Sequence, residues 1–226
     1  MIQIDRPEAV YWLPQGSTQR SIDRFTQEGS EPWLRNRMCE LLEQRPGCVI
    51  SAGCYVGGLL PWLSKYAQQV WSWDAVSEHV ACAQRMLGHN AIGNCTIRHA
   101  ALGDCKGTAT ITTGCSDAEW LGGASCLVID GKLTSPVLSD LTKWKLRTQQ
   151  VPQHTLDSYK FSYLSILQLD LEGTEHLALA GAAQTVERWN PIIIIENNPQ
   201  AHTLLTDWGY TAQETHGSDT VYIRNK

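Results

Sequence analysis

No C-x-x-C pair and no Cys/His knuckle spacing occurs anywhere in the sequence, although it holds eight cysteines. Cys39, Cys48, Cys54, Cys82, Cys95, Cys105, Cys115 and Cys126 stand singly. That spread argues against structural zinc and against a secreted disulfide framework, and for idle or buried thiols in a reducing cytoplasm. Cys54 has no histidine near it in sequence to activate it, so a packing role is expected. Excess positive charge is also missing. The formal net charge is -5, so no global field draws phosphate backbones or anionic lipid, and neither nucleic acid nor membrane is an expected partner. The longest purely apolar run, residues 192–195, suits a core strand and is far too short to span a bilayer. The first twenty residues carry an early acid and proline instead of the basic-then-apolar layout of a secretory leader. Internal repeats and low-complexity tracts are absent.

What remains is an ordinary apolar and charged balance, 42% and 18% of 226 residues, enough for one globular unit with a sizeable core. Residues 1–30, broken by Pro7, Pro14, Gly16 and Gly29, read as an N-terminal arm or cap. Pro32 opens a helix that reaches about residue 44, so residues 1–46 are expected to pack on a body formed by 47–226. In that body, strands at 48–52, 70–73 and 95–101 alternate with helices at 59–68 and 77–87. The alternation predicts parallel units with helices on both faces of a sheet. Residues 103–150 break the rhythm with Gly-Asp, Gly-Thr and Gly-Gly turns, and read as an insertion of hairpins at the sheet edge or a flap over a site. Regularity returns with a strand at 163–171, a helix at 175–189, the strand at 192–195, a helix at 201–208 and a terminal hairpin of strands 210–214 and 220–224.

The stretch VISAGCYVGG, residues 49–58, ends the first of these strands. Its glycines, Gly53, Gly57 and Gly58, are spaced G-x-x-x-G-G and not as the dinucleotide pattern G-x-G-x-x-G. A pyrophosphate needs a tight turn against a helix start, whereas S-adenosylmethionine carries no phosphate and needs open space above the turn. The next strand ends at Asp74, 21 residues after Gly53. Two readings of Asp74 stand: acceptor for ribose hydroxyls, or cap of the following helix. Farther on, LDLEGTE gathers Asp170, Glu172 and Glu175 at a strand end. Glu175 falls in a first helical turn, where the helix dipole accounts for it. Asp170 and Glu172 are candidate chemistry, with acceptance from the turn N–H groups as the alternative role of Glu172.

In order and at fitting spacing, VISAGCYVGG, VWSWDA, HAALGDCKGTATI, PQHTLDSY, LQLDLEGTEHLALAGA and PIIIIEN resemble the FkbM-type S-adenosylmethionine-dependent methyltransferases over about residues 48–224. The resemblance implies a Rossmann-like class I methyltransferase sandwich: a mostly parallel seven-stranded sheet with an antiparallel last strand and helices on both faces. It implies S-adenosyl-L-methionine as cofactor, with Ser51, Gly53, Tyr55 and Gly57 on its methionine side, Asp74 and Ala75 at the ribose, Ala101, Leu102 and Asp104 near adenine, and Asp170 toward the methyl group. Asp170, Glu172 and Glu196 are the expected catalytic acids, with His216 a lesser candidate and Trp120 a candidate roof. The chain departs from the family pattern at Ser51, commonly Asp, and at Gln168, frequently Lys. The implied activity is methyl transfer to a hydroxyl of a small molecule such as a sugar. A nicotinamide-dependent oxidoreductase and a non-catalytic cofactor-binding relative are the rival readings. The three acids could also hold magnesium, but the resemblance calls for no metal and none is expected. Oligomeric state is left open.

Overall fold

Residues 1–28, 31–115, 125–129, 131–134 and 146–224 are described by the computed structural model. The stretch expected as an irregular arm forms an antiparallel hairpin of β1 (Ile2–Asp5) and β2 (Val10–Leu13), then a short helix α1 (Gln19–Asp23) and a wide turn over Arg24–Glu28. Pro7 lies between the two strands and Pro14 just beyond the second, where a missing N–H costs no ladder bond. Ile4, Tyr11, Trp12, Leu13 and Phe25 are buried and share a core with Leu60 and Met86. The hairpin is clamped from outside by Asn90, whose side chain accepts from Val10 N at 2.9 Å and donates to Val10 O at 2.8 Å.

The body then alternates α2 (Pro32–Gln44), β3 (Cys48–Ala52), α3 (Leu60–Tyr66), β4 (Gln69–Asp74), α4 (Ser77–His89) and β5 (Cys95–His99). The strand expected through residue 101 breaks after His99, because β6 (Ala101–Leu102) leaves the central sheet and pairs in parallel with a later strand. That partner, β10 (Leu146–His154), is antiparallel to β7 (Gly107–Cys115), so the insertion is a separate three-stranded sheet and not an extension of the central one. A small ladder of β8 (Val128–Ile129) and β9 (Lys132–Leu133) belongs to the same insertion. Trp120 lies outside the described residues.

Beyond a single turn at Leu156–Ser158, β11 (Leu164–Leu169) re-enters the central sheet. The helix expected over 175–189 is two helices, α5 (Glu175–Ala180) and α6 (Ala183–Trp189). β12 (Ile192–Glu196), α7 (Pro199–Asp207), β13 (Thr211–His216) and β14 (Asp219–Ile223) complete the chain. The central sheet has the order β13-β14-β12-β11-β3-β4-β5, with β14 antiparallel to both neighbours and every other pairing parallel. Ile192 and Ile194 face a core made with α2 to α4, while Ile193 and Ile195 face one made with α5 to α7. Burial on both faces explains the unbroken apolar run, since a strand between two helical layers has no solvent side. Among the described residues no helix is long and apolar enough to cross a membrane.

Candidate active site

Parallel sheets bind ligands beyond the carboxyl ends of their strands, where chain order reverses, and here the reversal falls between β3 and β11. A cleft of about 550 Å³, counting its open mouth, lies there. Gly53, Tyr55, Asp74, Ala75, Ala101, Leu102, Asp170 and Glu172 line it, as do Trp73, Val76, His79 and Thr174.

The turn after β3 determines how close a ligand can come. Gly53 has φ +81°, and a Cβ on it would stand 1.6 Å from the Asp170 carbonyl oxygen, so only glycine fits between the two strand ends. Tyr55 also takes a left-handed conformation, φ +50°, and its N–H donates to Asp74 Oδ2 at 2.8 Å. Asp74 Oδ1 accepts from Val76 N at 2.8 Å and lies 3.2 Å from His79 Nδ1. Asp74 therefore ties down the start of α4, as its capping reading expected, and also stands in the cleft wall. Fixed donors on both oxygens set the direction of its remaining lone pairs. Cys54 is held in its thiol form by burial, with the Asp74 charge adding to the effect, so it is not poised as a nucleophile.

Three residues named for the cofactor do not reach the cleft. Ser51 is buried within the sheet and donates to Gln168 Oε1 at 2.7 Å, because β3 and β11 place the two side chains in register. Gly57 faces Met86 and Leu60 beneath the turn. Asp104 is exposed beyond the end of β6.

The opposite wall is acidic. Carboxylate oxygens of Asp170, Glu172 and Glu196 lie within 4.8 Å of one another. Burial pushes the Asp170 carboxyl well above the usual carboxylate range, with Glu196, Glu31, Glu172 and Glu175 adding to it in that order. Asp219 is raised to about 7 by burial and then by Glu31 and Glu196, against the opposing pull of Arg24. Glu31, paired with Arg24 at 3.1 Å, is also raised by its burial. Glu175 takes a structural part: it is 1% exposed, accepts from Leu171 N and Gly173 N, and receives Asn198 Nδ2 at 2.6 Å. It thereby holds the loop that presents Glu172 at φ +53°. His216 stacks on Trp33 at 4.7 Å, on the exposed rim of β13.

Sequence reasoning missed His79, Val76, Asn198, Glu31 and Asp219, together with Ile111, Ser125 and Leu127 of the insertion, which also line the cleft. A signal existed for the first two, which follow Asp74 by five and two residues; the others arrive from distant parts of the chain. Trp73 also lines the cleft, and its buried indole N–H has no hydrogen-bond partner among the described residues.

Comparison with known proteins adds the chemical class. The methyltransferase FkbM domain matches residues 78–211. A solved methyltransferase FkbM from Methylobacillus flagellatus KT superposes with a TM-score of 0.53 at 15% identity, covering 77% of this chain and 42% of that one. The chain thus spans less than half the length of that protein. Magnesium protoporphyrin IX methyltransferase from Synechocystis PCC 6803, solved with bound SAM, gives 0.46 at 15% identity over 92% of each chain. No curated protein matches the sequence.

Proposed function

The chain belongs to the FkbM methyltransferase family, and from that premise we propose that it uses S-adenosylmethionine to methylate a hydroxyl of a small molecule, such as a sugar. The observation that carries the reading is the pairing, in one cleft, of the glycine turn and Asp74 with the acids Asp170 and Glu172. S-adenosylmethionine, when bound, supplies a methyl group on a cationic sulfonium, and an acceptor oxygen takes that methyl in line.

Each role of the chain's own residues follows from position. Gly53, lacking a side chain, leaves room for a ligand beside the β3 and β11 ends. Asp74 accepts hydroxyl donors with the lone pairs that Tyr55, Val76 and His79 leave open. Ala75, Ala101 and Leu102 offer apolar surface beside it. Asp170, in its ionised form, takes the acceptor's proton on a carboxylate oxygen, and the proton affinity raised by its burial makes that form a stronger base than an ordinary aspartate carboxylate. Glu172 and Glu196 hold negative charge beside Asp170, which favours a cationic donor. We treat residues 1–46 as part of the same globular unit, since the hairpin core is continuous with that of the body.

Incubation with isotopically labelled S-adenosylmethionine and a panel of small hydroxylated acceptors, read by mass spectrometry, tests the reading. A labelled methylated product, lost in Asp170→Asn, is expected. Binding of NAD(H) with none of adenosylhomocysteine would reject it. Turnover should be indifferent to EDTA, because Asp170 is assigned to proton transfer and Glu172 and Glu196 to the charge beside it.

A further inference from the structure

We propose that the insertion between β6 and β11 supplies the purine-facing wall of the cleft, with Ile111 and Leu127 as its contact residues; the proposal rests on the reading of the cleft as an adenosyl site. Both side chains line the cleft and are nearly buried, at 5% and 6% exposure. An isolated antiparallel bridge sets Ile111 opposite Leu127, so their side chains form a cross-strand pair. They pack with Val76, Ala101 and Val151 in a cluster separate from the two sheet cores.

The cleft is therefore polarised. Ile111 and Leu127 pack with Val76 and Ala101, which follow β4 and β5, while Asp170 and Glu172 follow β11, across β3 from them in the sheet order. An adenosyl ligand is polarised too, with flat apolar purine faces at one end and a charged sulfonium and amino acid at the other. Placing the charged end among isoleucine and leucine would cost its hydration without a partner, so the purine takes the aliphatic side. Desolvation favours that orientation.

The wall is also fastened to the elements that carry the rest of the site. Gln149 Nε2 donates to Ala75 O at 2.8 Å, and Ser77 Oγ lies 3.3 Å from Gln149 Oε1. The Thr134 hydroxyl reaches Glu172 O at 3.2 Å. Thr112 and Cys126 join the two halves of the wall, N–H to carbonyl at 3.0 Å and N–H to hydroxyl at 3.0 Å. The same insertion thus touches the loop after β4, where the ribose acid sits, and the loop after β11, where the proton acceptor sits.

Isothermal titration of adenosine and of adenosylhomocysteine into the wild type, Ile111→Ala, Leu127→Ala and the milder Ile111→Val tests this, with thermal unfolding run on each. Both ligands should weaken by the same factor, roughly ten-fold or more in the alanine variants for the withdrawal of two or three buried methylenes, and less in Ile111→Val. Should an alanine variant fail to fold, the graded loss in Ile111→Val still decides. Unchanged affinity in folded variants, or weakening of adenosylhomocysteine alone, overturns the purine wall while leaving the cofactor reading intact. A wild type that binds neither ligand overturns both.

Discussion

Ser51 and Gln168 were two separate departures in the sequence and are one contact in the fold. Adjacent parallel strands bring them into register, and a neutral hydrogen bond of 2.7 Å stands where the family pattern would set an acid beside a lysine. The missing charge at Ser51 therefore takes nothing from the ligand, because this side chain ends inside the sheet. Its replacement by aspartate alone would bury a carboxylate against an amide that cannot neutralise it. Ser51→Asp is expected to lose about 3–5 kcal/mol in denaturant unfolding, and Ser51→Asp with Gln168→Lys to recover most of that loss. A double variant no more stable than Ser51→Asp would mean that the two positions are not coupled.

At the scale of elements, the break between α5 and α6 is made by distant parts of the chain. A Cβ at Gly181 would stand 2.0 Å from the Gly103 carbonyl oxygen, so the insertion's base crosses the helix at its one bare residue. Asp157, from the turn before β11, then accepts from Gln184 N at 3.0 Å and Thr185 N at 2.8 Å and starts the second helix. The acid of the TLD segment is thus a helix cap supplied from outside the helix. Asp157→Ala should cost about 1 kcal/mol, seen as a lower unfolding midpoint, while adenosylhomocysteine affinity stays as it was. These cases mark what could be read in advance. The strands at 48–52 and 192–195 were legible because burial on both faces demands unbroken apolar sequence. Gly53, Asp74 and Asp170 were legible because they sit where such strands end. The helix break, the N-terminal hairpin and the Ile111–Leu127 pair were not, since each depends on a contact between segments far apart in the chain. Periodicity carries no information about such contacts.

For the molecule as a whole, the acids at the carboxyl edge make stability a function of pH. Asp219 titrates at about 7 in the fold, against about 4 for an unfolded aspartate. The folded state binds that proton more tightly, so the contribution is full below the unfolded value and is lost as pH rises toward 7. Asp219→Asn should match the wild type in unfolding free energy near pH 4 and exceed it by about 1–2 kcal/mol at pH 8, after allowance for the solvent that reaches the group. Equal pH slopes for the two proteins would show that Asp219 is not the source.

Crowding at Asp170 has a calorimetric corollary. Burial, with its acidic neighbours adding to it, raises the proton affinity of the Asp170 carboxyl, and a sulfonium arriving beside it lowers that affinity again, so any proton the group holds is released to the medium. The heat of binding S-adenosylmethionine near neutrality should then differ between phosphate and Tris by the protons released times the gap in buffer ionisation enthalpy. Adenosylhomocysteine, which lacks the sulfonium charge, should give nearly the same heat in both, so that proton release accompanies only the ligand that carries the methyl.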